Sequence, residues 1–138
     1  MSPSATGAVH TVLVFSQDPE VRAQVRTALG PRPAVDVGRI EYLEAATGDE
    51  VVAQVDAGGI DLVILDGEAQ PTGGMGVART IREECAEQPL LCLLIRRRDD
   101  RWLSTWSRVD ATMMYPIDPV TAADTVAGLL RRAAAARA

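Results

Sequence analysis

The stretch that most constrains the fold of this chain is an unbroken apolar run, Leu62 to Leu65, which lies between glycines and ends on a carboxylate, Asp66. A continuous apolar run without polar alternation is typical of a strand that is buried on both faces, as the central strand of a parallel sheet is. In open α/β sheets, ligands bind at the edge formed by the carboxyl ends of the strands. We therefore expect Asp66 to lie at the functional edge of such a sheet, followed by a loop over Gly67 to Gly76.

Strand and helix patterns alternate along the rest of the chain. Further strands are predicted at residues 11–15, 40–45, 90–95 and 111–115. Asp18-Pro19 and Asp118-Pro119 each combine an N-cap with a proline at the first helical position, so a helix is expected to begin at each. This alternation predicts an α/β fold, in which a doubly wound, five-stranded parallel sheet is covered by helices on both faces.

The length of 138 residues is enough for a single compact domain, which we place at residues 11–132. We expect residues 1–10 to be a disordered N-terminal segment, which makes His10 a poor candidate for catalysis, and residues 133–138 to form a frayed C-terminal tail. The first ten residues lack the basic start and apolar core of a secretory signal. No apolar run approaches the length of a membrane span, and we expect a cytoplasmic protein.

The charge of the chain excludes several classes of function. A net charge of −5 argues against nucleic acid or an anionic membrane as the main partner. All 14 basic residues are arginine, so mechanisms that depend on lysine are excluded. Cys85 and Cys92 have no metal-type spacing and lie in apolar contexts, so we predict buried free thiols.

Four short motifs lie in this framework: Val12-Leu13-Val14-Phe15 leading into Asp18-Pro19-Glu20, Glu44 to Gly48, Asp61 to Asp66, and Tyr115-Pro116. In order and spacing, over residues 11–132, they resemble the receiver domain of bacterial two-component response regulators. The resemblance implies the flavodoxin-like receiver fold and a role in signalling rather than as an enzyme. It also implies that Asp66 stands at the position of the phosphoacceptor.

At the acid-pair positions, where the family places two carboxylates that hold Mg²⁺, this chain has Ser16 and Gln17. A hydroxyl and an amide are poor replacements, because Mg²⁺ requires hard anionic oxygens in near-octahedral geometry. Glu68, two residues beyond Asp66, is the one acid that could compensate. We therefore expect no cofactor, and at most weak Mg²⁺ binding by Glu68 and Asp66.

The relay residues of the family are replaced as well. By the same resemblance, Tyr115 stands at the position of the lysine that pairs with the acylphosphate, while Leu94 and Thr112 stand at the two switch positions. Of the relay, only Asp66 is kept. The lack of lysine, together with the run Gly73 to Gly76, is similar to stand-alone atypical regulators of actinobacteria.

Two other segments admit a functional and a structural interpretation. The glycine-rich run Gly73 to Gly76 could cradle a phosphate, but it lacks the residues of a phosphate-binding loop, and we predict a turn into a helix. The run Arg96 to Arg98 could bind an acidic partner, but two aspartates follow at once, and we predict a solvated loop.

A short predicted helix carries Trp102 and Trp106, which lie one turn apart on one stripe. They either pack onto the sheet or form a partner face, since tryptophan is enriched at binding hot spots. In receiver domains, the corresponding helix, the fifth strand and the last helix form the usual partner and dimer face. The resemblance thus implies a monomer or a weak homodimer through this face.

Three functional hypotheses follow. The first is an atypical receiver that signals through protein–protein contacts, with a histidine kinase or an output protein as partner, and largely without Mg²⁺-dependent phosphorylation. The second is a receiver that is still phosphorylated at Asp66 through a modified metal site. The third is a small flavodoxin-like cofactor-binding protein that uses the loop from Gly67 to Gly76.

Overall fold

The computed structural model describes residues 9–67, 73–96 and 108–137. Along the chain the elements are β1 (Val9–Phe15), α1 (Pro19–Leu29), β2 (Arg39–Ala45), α2 (Gly48–Ala57), β3 (Leu62–Asp66), α3 (Gly74–Glu84), β4 (Leu90–Ile95), β5 (Ala111–Met114) and α4 (Pro119–Arg137). None of the described helices is long and apolar enough to cross a membrane.

The five strands form one parallel sheet in the order β2-β1-β3-β4-β5, which confirms the predicted fold class. The central strand β3 is buried along its whole length, as its apolar run indicates. One core cluster packs α1 and α4 against one face of the sheet, and a second packs α2 and α3 against the other. The chain is thus doubly wound, and the carboxyl ends of β1, β3 and β4 come together at one edge.

Helix starts follow the predicted capping chemistry. The Asp18 carboxylate accepts a 2.9 Å hydrogen bond from the Glu20 N–H and caps α1. At α2, the Thr47 hydroxyl accepts from the Glu50 N–H at 3.2 Å, and the Glu50 carboxylate accepts from the Ala46 N–H at 3.0 Å. This reciprocal pair is a capping box.

The ends of the domain differ from the prediction. β1 begins at Val9 and pairs with β2 from the Val9–Arg39 position onward, so His10 lies in the sheet and is only 1% exposed. Our assignment of His10 to a disordered segment was therefore wrong. β1 reaches further toward the N-terminus than predicted because it pairs there with β2, a strand remote in sequence. At the other end α4 continues to Arg137, where we predicted a frayed tail from residue 133.

The opposite edge of the sheet is held by a polar cluster around Asp110, just before β5. Its Oδ2 accepts hydrogen bonds from the Arg82 guanidinium at 2.7 Å and from the Leu91 N–H at 2.8 Å. The side chains of Arg82 and Asp110 are only 16% and 18% exposed. Arg132 of α4 approaches Oδ1 at 3.4 Å, so this carboxylate ties α3, β4 and α4 together.

Candidate functional site

Asp66 lies at the carboxyl end of β3, as predicted, and is only 4% exposed. Two glycines allow the chain to pack closely around it. A Cβ added to Gly74 would lie 2.7 Å from the Asp66 carbonyl oxygen, and one added to Gly67 would lie 2.7 Å from the Leu94 carbonyl oxygen. Since such distances are far below van der Waals contact, both positions require glycine, and the start of α3 is seated directly on the backbone of Asp66.

Ser16 follows β1 and is completely buried beside Asp66. Its hydroxyl donates a 2.8 Å hydrogen bond to Asp66 Oδ2 and accepts one from the Asp18 N–H at 3.1 Å. The Ser16 N–H donates to the Ala45 carbonyl at 3.2 Å. Backbone and side chain are therefore both fixed, and the hydroxyl is directed at the carboxylate.

The other residues near this edge take different roles. Gln17 is exposed, and the Asp18 carboxylate is engaged in capping α1. Within residues 9–67, 73–96 and 108–137, no group of three or more His, Cys, Asp or Glu side chains is arranged to hold a metal ion. Glu68, the acid that we expected to compensate, lies outside the described residues.

Arg96 is a site residue that the sequence analysis missed. It directly follows β4, and its guanidinium lies 3.8 Å from Asp66 Oδ1, with the side chain 36% exposed. Arg96 is exposed at a bend, as predicted for a solvated loop, but its ion pair with Asp66 was not predicted. One signal could have located it: β3 and β4 were both predicted, and the residue after β4 must lie at the edge where β3 ends.

Tyr115, which the family resemblance predicts to stand at the position of the lysine, lies beside Arg96. The Arg96 guanidinium carbon is 4.4 Å from the centroid of the Tyr115 ring, within the range of a cation–π contact. The Tyr115 hydroxyl donates a 2.6 Å hydrogen bond to Gln24 Oε1 on α1, and its N–H donates to the Ile95 carbonyl at 2.8 Å. The peptide bond between Tyr115 and Pro116 is cis.

The two predicted switch positions bring no polar group to Asp66. Leu94 pairs with Asp66 in the β3–β4 register, but its side chain is 1% exposed and belongs to the core between the sheet and helices α1 and α4. Thr112 is half-buried on β5 opposite Leu93. Trp102 and Trp106, the proposed partner face, lie outside the described residues.

Cys85 and Cys92 are buried free thiols, as predicted. Burial raises the pKa of Cys92 to about 12 and, with a smaller contribution from the nearby Asp56, that of Cys85 to about 11. Because the thiolate is the reactive form, neither cysteine is suited to act as a nucleophile near neutral pH.

No protein-family model matches the sequence. Two curated relatives, from the CDC 1551 and H37Rv strains of Mycobacterium tuberculosis, are each named an uncharacterized response regulatory protein. Each is 48% identical to this chain over 120 residues, which cover 87% of this chain and 90% of the relative.

Solved structures agree with this relationship at the level of the fold. The response regulator TrrA of Thermotoga maritima, in complex with Mg²⁺ and BeF, superposes with a TM-score of 0.71 at 26% identity over 88% of this chain and 99% of its own. The chemotaxis protein CheY4 of Vibrio cholerae gives 0.72 at 19% identity over 89% of this chain and 100% of its own. The receiver domain of the Francisella response regulator 1452 gives 0.74 at 16%, over 89% and 98%.

The extent and identity of the match to the mycobacterial proteins, together with the five-stranded sheet that carries Asp66 at its edge, lead to one conclusion: this chain belongs to the response regulators, and its fold is that of their receiver domain.

Proposed function

We propose that this receiver signals through protein–protein contacts and does not depend on conventional Mg²⁺-dependent phosphorylation of Asp66. The observation that carries the proposal is the 2.8 Å hydrogen bond from the Ser16 hydroxyl to Asp66 Oδ2. The hydroxyl stands at one of the two positions where the family has metal-binding acids, and it directs a proton, rather than a negative charge, toward the site.

The donor set at this edge does not fit Mg²⁺. In the described part of the chain it comprises the Asp66 carboxylate and the Ser16 hydroxyl, whereas Mg²⁺ prefers carboxylates and waters in near-octahedral geometry. Each missing carboxylate removes about 4 kcal/mol of gross attraction per charge pair, at about 4 Å and an effective dielectric constant of about 20. Arg96, 3.8 Å from Asp66, adds a positive charge that repels a divalent cation.

Phosphoryl transfer to a carboxylate depends on positioning and on neutralising the charge of the transferred group. The family supplies that charge with Mg²⁺ and a lysine, and this chain contains no lysine. Here Asp66 accepts from Ser16 and lies beside Arg96. The carboxylate is thus already engaged within the protein, which favours a constitutive rather than a phosphorylation-gated binding surface.

The proposal is tested by incubating the protein with a small phosphodonor, acetyl phosphate, with either Mg²⁺ or EDTA, and measuring its intact mass. The wild-type protein is expected to remain unmodified in both. The double variant Ser16→Asp, Gln17→Asp restores two carboxylates and is the matched gain-of-function control, and Asp66→Ala added to it identifies the modified residue. Mg²⁺-dependent addition of one phosphoryl group to wild-type protein, absent in Asp66→Ala, would overturn the proposal.

A second candidate function, a receiver phosphorylated at Asp66 through a modified site, is favoured by one observation. The Arg96 guanidinium is close enough to Asp66 to pair with an acylphosphate formed there, since arginine binds phosphate oxygens in a bidentate manner. The same assay separates the two functions: modification that persists in EDTA and is lost in Arg96→Gln supports the second.

The partner is proposed by family alone, as a histidine kinase or an output protein. Affinity capture from the native cell, repeated with Asp66→Ala, tests this. A partner captured equally by both proteins supports a surface that does not depend on the acceptor, whereas capture lost with Asp66→Ala contradicts it.

A further inference from the structure

We infer that Arg96 is a positioning residue that serves as the internal counter-ion of Asp66 and, by stacking on Tyr115, couples the state of this carboxylate to helix α1. The inference deepens the proposed function, on which it rests for the premise that no metal ion occupies the place beside Asp66. It assigns to the end of β4 a part that the receiver family is expected, by resemblance, to supply from the end of β5.

The first step is the placement of charge. Asp66 is 4% exposed, and a carboxylate removed from water needs compensating partners. Ser16 supplies a hydrogen bond to Oδ2, and the Arg96 guanidinium lies 3.8 Å from Oδ1. That separation is within ion-pair range but longer than a hydrogen bond, so the attraction is Coulombic and is directed at the oxygen that Ser16 does not bind.

The second step is the ring. A lone arginine at the protein surface is free to adopt many rotamers, but the guanidinium carbon of Arg96 is 4.4 Å from the centroid of the Tyr115 ring. A planar guanidinium stacks on an aromatic face in a way that an ammonium does not. The ring therefore selects the Arg96 rotamer that faces Asp66. Tyr115, at the position where the resemblance places the family's lysine, thus holds in place a cation that comes from the neighbouring strand β4.

The third step reaches α1. The Tyr115 hydroxyl donates to Gln24 Oε1 at 2.6 Å, across 91 positions of sequence. Gln24 in turn lines a groove of about 420 Å³ between α1 and the start of α4, together with Glu20, Ala23, Thr27, Ile117 and Pro119. A contiguous path of contacts thus runs from Asp66 through Arg96 and Tyr115 to a surface groove.

Contiguity alone does not demonstrate coupling, which has to be measured as an effect of one end on the other. The probe is the side-chain amide of Gln24, followed by NMR in the full chain without metal or phosphodonor. Asp66→Asn removes the charge that attracts Arg96, so we expect the Gln24 amide resonances to shift. In an Arg96→Gln background, the same Asp66→Asn change is expected to leave them unmoved.

Three variants make the test specific. Tyr115→Phe keeps the ring but removes the hydroxyl, and is expected to abolish the response at Gln24 while leaving Arg96 stacked. Arg96→Lys keeps the charge but not the planar stack, so a reduced response is expected. Arg132→Gln is the matched control, because Arg132 is an exposed arginine paired with an aspartate, Asp110, at the opposite edge, and it is expected to leave the response intact.

A Gln24 amide that does not respond to Asp66→Asn, or responds equally with and without Arg96, would overturn the inference. If Arg96→Gln does not fold, the Arg96→Lys and Tyr115→Phe comparisons decide the matter, and a full response in both is again contradictory. Failure here is distinct from failure of the proposed function. Mg²⁺-dependent phosphorylation of the wild-type protein would remove the latter, whereas the metal-free coupling is read out independently.

Discussion

Asp66→Asn is expected to lower the free energy of unfolding by no more than about 1 kcal/mol, or to raise it. The amide keeps an oxygen for the Ser16 hydroxyl, now 2.8 Å from the carboxylate, so one charge-assisted hydrogen bond becomes a neutral one at a cost of about 1 kcal/mol. The attraction to Arg96 is also lost. Because the Arg96 side chain is 36% exposed, solvent screening limits that loss to about 1 kcal/mol as well.

The opposing contribution is desolvation. Keeping a carboxylate in a site that is only 4% exposed costs several kcal/mol, and an amide incurs much less of this cost. The two effects nearly cancel. The difference in unfolding free energy is measured by urea denaturation of both proteins, monitored by circular dichroism. The comparison holds when the dependence of that free energy on urea concentration is the same in both.

Asp110→Asn is the matched control for this prediction. Asp110 accepts hydrogen bonds from Arg82 at 2.7 Å and from the Leu91 N–H at 2.8 Å, and both charged side chains are mostly buried. Its replacement is expected to cost about 2–4 kcal/mol, since it leaves an arginine with a weakened partner. If instead Asp66→Asn lost more than about 2 kcal/mol, the charge of Asp66 would have a structural role, and the reasoning would be refuted.

Three further predictions concern other parts of the molecule. Gly128→Ala in α4 should stabilise the fold by up to about 1 kcal/mol, because an added Cβ meets nothing within 4 Å. Gly74→Ala should destabilise it in the same denaturation assay, because its Cβ would lie 2.7 Å from a backbone oxygen. Burial raises the pKa of Cys92 from 9.0 to about 12, so the stability that its neutral thiol contributes is full below pH 9.0 and is lost as the pH rises toward 12. Cys92→Ala should therefore flatten the decline of stability at alkaline pH. An unchanged pH profile would contradict the raised pKa of this buried thiol. At least one of Trp102→Ala and Trp106→Ala, with Trp106→Ala the leading candidate, should fold with nearly unchanged stability because we expect the tryptophan to face a partner. A loss of about 3–5 kcal/mol in both would make them core residues.

Much of the fold could be predicted because it depends on local patterns. The apolar run of β3 indicated a central strand, and the residues that cap α1 and α2 lie within a few positions of the helices that they begin. The hydrogen bond from Ser16 to Asp66 was not predicted; the resemblance implied only that Ser16 stands at an acid-pair position, and the parallel pairing of β1 with β3 brings the two side chains together.

What the sequence did not reveal depends on contacts between distant segments. The extension of β1 to Val9 requires its pairing with Arg39 on β2, and nothing in the composition of the first ten residues signals it. The role of Arg96 arises from Asp66 on one neighbouring strand and Tyr115 after another. A charged run such as Arg96 to Arg98 is compatible with a solvated loop until the partners of each arginine are known.

We propose that Ser16 and Gln17 leave the edge beside Asp66 without a Mg²⁺ site, and a Mg²⁺ titration followed by NMR at the amides next to Asp66 tests this proposal most directly. For the wild-type protein we predict no saturable shifts at millimolar Mg²⁺, and for the Ser16→Asp, Gln17→Asp variant saturable binding, because the two carboxylates that Mg²⁺ requires are restored. Saturable shifts in the wild-type protein, with a dissociation constant in the millimolar range or tighter, would contradict the account.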